Sequence, residues 1–113
     1  MSKVSHTECS SAMLPVRDAL DVISGKWKLL ILISISSGNR RFREIERSIP
    51  RISSKVLAKE LKDLEEHKLV RRTVYDSTPV AIEYTLTSYS HTLGDVIKAL
   101  RDWGISHRKK VME

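Results

Sequence analysis

The 113-residue chain is poor in cysteine, in glycine and in long apolar runs, and each scarcity excludes a class of protein. A single cysteine cannot form an intramolecular disulfide, which is typical of a reducing compartment. The sequence shows no catalytic motif: none of its four glycines lies in a phosphate-binding loop, and it has neither a nucleophile elbow nor a pair of metal ligands. We therefore expect no enzymatic activity, no cofactor and no metal site. Residues 29–33 form the longest apolar run, whereas a membrane-spanning helix needs roughly 20 residues. With no signal peptide visible, we predict a cytoplasmic protein that does not contact membranes.

Positive charge is present in excess, and it is unevenly distributed along the chain. Lysine and arginine outnumber aspartate and glutamate by 20 to 14, and residues 40–72 contain 11 basic against six acidic residues. This segment therefore carries +5 of the net charge of +6. A local excess of this kind favours a polyanion-binding surface, although an ordinary solvated face has the same composition.

The spacing of apolar residues predicts three helices in the first half of one domain. We expect a loose polar tail over residues 1–12 and a single folded domain over residues 13–113. A first helix should begin near Pro15 and end before Gly25. A core helix over residues 26–36 and a short helix over residues 42–48 should follow, because Pro50 stops the short helix.

The best-defined helix of the sequence follows this turn. Ser53 is a natural N-cap, and the helix should continue to about residue 67. On a helical projection, Lys55, Lys59 and Lys62 fall within about 60° of arc, opposite the leucines that form the buried stripe. The pattern therefore predicts a helix with one apolar side and one basic side.

The rest of the chain predicts a hairpin and a last helix. Residues 70–75 are rich in β-branched side chains and residues 80–86 alternate, so two strands should flank a turn over residues 76–79. The last helix has a narrow apolar seam that ends at Trp103. A helix-turn-helix followed by a hairpin is a mainly α fold with a small β wing, the winged helix-turn-helix, and its second helix fits the major groove of double-stranded DNA.

Several ordered motifs support this interpretation. They are SGKWKLLIL at residues 24–32, RFREI at 41–45, IPRIS at 49–53, residues 57–72, the wing at 74–87, and LRDWG at 100–104. In these motifs the chain resembles the HxlR-type winged-helix regulators, a family within the wider MarR-like group. The resemblance implies a dimeric DNA-binding transcriptional regulator whose first and last helices form the subunit contact.

The chain departs from the family pattern at three positions. Lys68 and Ser90 stand where glycine is common, so we expect a left-handed backbone at Lys68. Some family members sense electrophiles or oxidants through a Cys-Pro-Val cysteine at the start of the first helix, where this chain has Leu14-Pro15-Val16. Cys9 lies five residues upstream and inherits this role only if the N-terminus carries an insertion.

These observations together predict a homodimeric repressor that binds an inverted-repeat operator and responds to an unidentified small molecule or to oxidation. A winged-helix protein–protein adaptor is the alternative, and an RNA-binding module is a third hypothesis. The expected DNA contacts are Arg41, Arg43, Ser53, Ser54, Lys55, Lys59, Lys62, Arg71, Arg72, Ser77 and Thr78. The expected dimer contacts are Leu14, Val16, Leu20, Leu93, Val96, Ile97, Leu100 and Trp103, and Cys9 is the candidate redox sensor.

Overall fold

The computed structural model describes residues 6–113, with side chains at Cys9 and from residue 11 onward. These residues form five α-helices, a two-stranded hairpin and a short 3-10 helix, which confirms the predicted mainly α winged helix-turn-helix fold. The elements are α1 (His6–Ile23), α2 (Lys28–Ser36), α3 (Phe42–Ser48), α4 (Ser54–Glu66), β1 (Val70–Tyr75), β2 (Ala81–Leu86), the 3-10 helix (Tyr89–Leu93) and α5 (Gly94–Val111). No helix within residues 6–113 is both long enough and apolar enough to cross a membrane.

The hydrophobic core lies where α2, α3 and α4 meet. Leucines three and four residues apart on α4 point to the same side of the helix, and the predicted stripe is buried. It packs against isoleucines of α2 and α3 and against Leu69, just before the hairpin. The largest fully buried side chains are Ile31, Ile45, Leu57, Leu61, Leu64 and Leu69.

Local interactions define the turn between α3 and α4 and the start of α4. Ile49 and Ile52 are 5% and 9% exposed and anchor the turn on either side of Arg51, which has a φ of 68°. The Ser53 side chain accepts a hydrogen bond of 3.1 Å from the backbone N–H of Val56, so its predicted role as N-cap is confirmed. The helix therefore begins at a fixed position relative to α3.

The antiparallel hairpin is tied to the helix-turn-helix at both of its strands. Its register pairs Val70 with Leu86 and Tyr75 with Ala81. Strand β1 follows α4 through Lys68, which has the predicted left-handed conformation with φ 65°. On β2, the backbone N–H of Tyr84 donates a hydrogen bond of 2.8 Å to the carbonyl of Arg40, just before α3. The wing is thus held beside both helices of the motif.

The structure corrects the predicted start of the first helix. Helix α1 begins at His6 and runs through Pro15, so residues 6–12, expected to be a loose tail, are helical. Residues 11–21 are all exposed, and the helix reaches the core only at Val22 and Ile23. The helix was missed over residues 6–12 because that stretch has no apolar period, the signal by which a packed helix is recognised.

The 3-10 helix before α5 was not predicted. It contains Ser90, which is only 7% exposed and whose hydroxyl donates a hydrogen bond of 2.7 Å to the carbonyl of Thr87. This small buried hydroxyl occupies a position where glycine is common in the resembled family.

Candidate nucleic-acid interface

The outer face of α4 carries the basic residues that the sequence singled out. Lys55, Lys59 and Lys62 are exposed, as are Ser53 and Ser54 at the start of the helix. The Lys59 side chain is 74% exposed. Because the opposite side of α4 forms the core, this helix presents its charged face outward.

The wing brings two further predicted contacts beside this helix. Arg72 of β1 lies opposite Tyr84 of β2, and these two residues line a surface groove together with Lys62 of α4. Arg71, its neighbour on the strand, is also exposed. Basic side chains of α4 and of the wing therefore share one groove, which helical spacing alone did not reveal.

The turn of the wing contains the last two predicted contacts. Ser77 and Thr78 are exposed between the strands. The Ser77 hydroxyl donates a hydrogen bond of 2.7 Å to the carbonyl of Pro79, which orders the turn. Both residues lie at the far end of the hairpin from the point where Tyr84 is hydrogen-bonded to Arg40.

Helix α3 begins with a side-chain cap. The backbone N–H groups of Arg41 and Arg40 donate hydrogen bonds of 3.0 and 3.1 Å to one carboxylate oxygen of Glu44. These two bonds, that from Arg41 first, lower the pKa of Glu44 below its ordinary value. The side chain of Arg41, a predicted DNA contact, remains exposed in the presence of this cap.

Glu46 is a residue of this region that the sequence interpretation missed. Its Oε1 accepts a hydrogen bond of 3.0 Å from the guanidinium of Arg43, and its Oε2 accepts a short hydrogen bond from the hydroxyl of Ser54. The hydrogen bond from Ser54, followed by that from Arg43, lowers the pKa of the Glu46 carboxyl. The spacing of Glu46 from Arg43 predicts their ion pair. The contact with Ser54 depends on how α3 and α4 cross, which the sequence pattern does not encode.

An ion pair that is largely shielded from solvent fastens α4 to α2. The ammonium group of Lys28 lies 2.6 Å from Glu60 and 3.5 Å from Asp63, and the side chains of Lys28 and Glu60 are each 12% exposed. Burial lowers the pKa of Lys28, but the bonds and charges of Glu60 and Asp63 outweigh burial, so the pKa is raised above its ordinary value. The basic face of α4 is thereby held in a fixed orientation on the core.

Apolar side chains remain exposed on α1 and α5. Of the eight predicted dimer contacts, Leu93 and Ile97 pack against the core of their own chain. The Trp103 ring is stacked on His107 at a centroid distance of 4.8 Å and is still 67% exposed. The six that stay exposed are Leu14, Val16, Leu20, Val96, Leu100 and Trp103.

Two further features of the helices were not predicted. Leu30 and Ile33, on a helix expected to be buried on most sides, are 43% and 42% exposed. Cys9, expected in a loose tail, is a half-buried free thiol within α1.

A helix-turn-helix with an exposed basic second helix, followed by a hairpin that adds arginines beside it, defines a winged helix-turn-helix DNA-binding regulator. The HxlR-like helix-turn-helix family matches residues 22–112, and the chain belongs to that family.

Its relatives are transcriptional regulators and not enzymes. The chain is 36% identical over 97 residues to the uncharacterized HTH-type transcriptional regulator YdeP of Bacillus subtilis (strain 168), covering 86% of this chain and 76% of YdeP. Among solved structures, the redox regulator HypR in its reduced form has a TM-score of 0.80 at 37% identity, covering 87% of this chain and 97% of HypR. Diamide-treated YodB from B. subtilis has a TM-score of 0.69 at 37% identity, covering 80% of this chain and 89% of YodB.

Proposed function

We propose that the protein is a sequence-specific transcriptional repressor that binds an inverted-repeat operator as a homodimer. The observation that carries the proposal is the groove that Lys62 of α4 and Arg72 of the wing line together, with Glu65 as its one acidic lining residue. In a two-fold dimer, two copies of α4 enter successive major grooves about 10 base pairs apart.

The predicted contacts divide into two roles. Ser54 and Lys55, at the exposed N-terminal end of α4, reach deepest into the groove and read base edges. Arg41, Arg43, Arg71 and the wing turn lie over the phosphates or the minor groove and contribute affinity more than sequence choice. The remaining phosphate contacts are Ser53, Lys59, Lys62 and Arg72.

The exposed apolar faces of α1 and α5 support the homodimer. Leu14 and Leu20 on α1 are 62% and 52% exposed, and Leu100 on α5 is 49% exposed. Exposed apolar helix faces of this kind mark an interface, and a two-fold dimer is the commonest arrangement that covers them. An inverted-repeat operator follows from the same two-fold axis.

Redox control is the second part of the proposal. One structural relative is named a redox regulator, and YodB was solved after diamide treatment. On α1, Cys9 precedes Met13, Val16 and Leu20 by four, seven and eleven residues, which puts the thiol on the same helical face as these apolar side chains. If that face forms the subunit contact, oxidation can join the two Cys9 thiols across the dimer axis and change the spacing of the two α4 helices.

Sequence-specific DNA binding is tested by selecting bound duplexes from a random pool. Variants are then titrated against the selected duplex and against a scrambled duplex. Lys55→Ala should cost about 1–3 kcal/mol on the selected site and relax its sequence preference. Arg72→Ala should weaken both duplexes similarly and flatten the salt dependence by about one unit of log–log slope for each phosphate interaction removed. Lys109→Ala, on the exposed end of α5, is the matched control and should change neither.

The protein–protein adaptor remains the alternative. It predicts that duplex binding is weak, without sequence preference, and unaffected by Lys55→Ala. This outcome would contradict the repressor proposal.

A further inference from the structure

We propose that Glu46 determines which base the N-terminal end of α4 selects. The Ser54 hydroxyl donates its proton to the Glu46 carboxylate. Toward DNA the two side chains can then only accept hydrogen bonds, which selects the amino groups of cytosine or adenine. This inference rests on the proposed function, in which α4 enters the major groove, and it adds the chemical preference at one position of each half-site.

The first step is the hydrogen-bond capacity of the two side chains. A serine hydroxyl has one donor and two acceptor lone pairs, and an ionised carboxylate only accepts. The hydroxyl proton of Ser54 is directed to Oε2 of Glu46, so the lone pairs of Ser54 are what it still offers to a third group. Arg43 occupies the other carboxylate oxygen at 3.0 Å and holds Glu46 in this orientation.

The second step is the position of the pair. Ser54 is the first residue of α4 and is exposed, immediately before Lys55. The Glu46 side chain is 20% exposed and lies behind it on α3. In a helix-turn-helix the N-terminal residues of the second helix contact base edges, so the accepting lone pairs of Ser54 reach the groove first.

The third step is the chemistry of the base edges. In the major groove, cytosine presents an N4 amino donor and adenine an N6 amino donor, whereas the guanine and thymine edges present acceptors. Either amino group can donate a hydrogen bond to the Ser54 oxygen. O6 of guanine and O4 of thymine cannot, because they are acceptors themselves. Leaving this acceptor unpaired at the base edge should lower affinity about 5-fold or more.

The carboxylate has a second effect, on binding to DNA of any sequence. It places a negative charge beside the exposed Arg43 and close to the phosphates that this arginine would meet. Glu46 therefore lowers affinity for every duplex alike while it favours cytosine or adenine at one position, and only the second effect increases the ratio of specific to non-specific binding.

The test is the random-duplex selection repeated with wild type, Glu46→Gln, Ser54→Ala and Ser54→Thr. In Glu46→Gln the amide oxygen keeps the hydrogen bond from Arg43, and the amino group donates to the Ser54 oxygen. The Ser54 hydroxyl proton is then free to donate to a base, so guanine and thymine should be admitted at one symmetric pair of positions. Its affinity for a scrambled duplex should rise, and its salt dependence should steepen by up to about one unit per subunit. Glu66→Gln, at the other end of α4, is the matched control and should keep the wild-type preference.

The serine variants separate base selection from folding. Ser54→Ala should lose discrimination at the same positions, whereas Ser54→Thr, which keeps a hydroxyl, should retain it. If Ser54→Ala keeps the wild-type preference at these positions, Ser54 is not the selecting group and the inference fails, whether or not Glu46→Gln folds. Thermal unfolding of each variant is measured alongside.

Two outcomes are decisive against the inference. If wild type selects an operator and Glu46→Gln recovers the same bases with the same discrimination, Glu46 only stabilises the α3–α4 turn, and the proposed function stands without it. If wild type selects no sequence at all, the proposed function and this inference both fail.

Discussion

The ion pair between α2 and α4 gives a direct test of what holds the DNA-facing helix in place. The perturbation is Glu60→Gln, which removes the charge 2.6 Å from the Lys28 ammonium group without changing the side chain's size. Hydrogen bonds to charged groups contribute about 1.5–3 kcal/mol, and both partners here are only 12% exposed. Glu60→Gln should lower the free energy of unfolding by less than the roughly 3–5 kcal/mol that an unpaired buried charge costs. The reason is that Asp63 remains 3.5 Å from Lys28.

The assay is urea unfolding at fixed protein concentration for Glu60→Gln, Lys28→Met and the double variant. Each single change removes the main partner of one charged group, so the double variant should lose less than the sum of the two, by about 1 kcal/mol or more. Lys98 and Asp102 on α5 form an exposed pair at 3.1 Å and serve as control. Their coupling should be only about 0.3–0.5 kcal/mol. Additive losses at Lys28 and Glu60 would refute the reasoning.

The raised pKa of Lys28 adds a pH dependence with a defined sign. A group that holds its proton more tightly in the folded state stabilises that state fully below its ordinary pKa, and this contribution is lost as the pH rises through the folded value. The stability difference between wild type and Lys28→Met should therefore be constant at neutral pH and shrink above the ordinary value of 10.5. A difference that grows above this pH would contradict the assignment.

Three further substitutions test other features. Lys68→Gly should stabilise the protein by about 1 kcal/mol, because glycine adopts the left-handed conformation of Lys68 with less strain. Urea unfolding measures this, and destabilisation would refute it. Leu100→Asp should give monomers or insoluble protein in sedimentation at micromolar concentration, and a monomeric wild type would contradict the proposed dimer. Diamide should link two wild-type chains and weaken their binding to the selected duplex. Cys9→Ser should not respond, and if it responds as wild type does, the sensor lies elsewhere.

The elements that local interactions specify were predictable from the sequence. The cap at Ser53, the stop at Pro50 and the leucine stripe of α4 each involve residues only a few positions apart, so their consequences follow from helical geometry. The bounds of α3 and β1 agree with the structure for this reason. The left-handed conformation of Lys68 was expected from the family resemblance, because glycine is common at that position. The exposed basic face of α4 follows from its apolar face, since the two lie on opposite sides of one helix.

Contacts between elements were decided only by the tertiary structure. The sequence did not indicate that Ser54 would meet Glu46, that Lys28 would pair with Glu60, or that Arg72 would share a groove with Lys62. Each contact depends on the crossing of two elements, and many crossings are compatible with the same apolar periods. The tertiary structure alone also decided which apolar side chains of the last helical segment pack on the core of their own chain and which stay exposed.

Helix α1 is the opposite case, in which a helix forms where the periodic signal fails. Residues 6–12 show no apolar period, so the start at His6 was missed, whereas Val16, Leu20 and Ile23 repeat at helical spacing and revealed the rest of the helix. The sequence by itself determined the interactions between residues that lie within a turn or two of one helix. The orientation of one element on another, and with it the arrangement of the DNA-facing side chains, required the packed core.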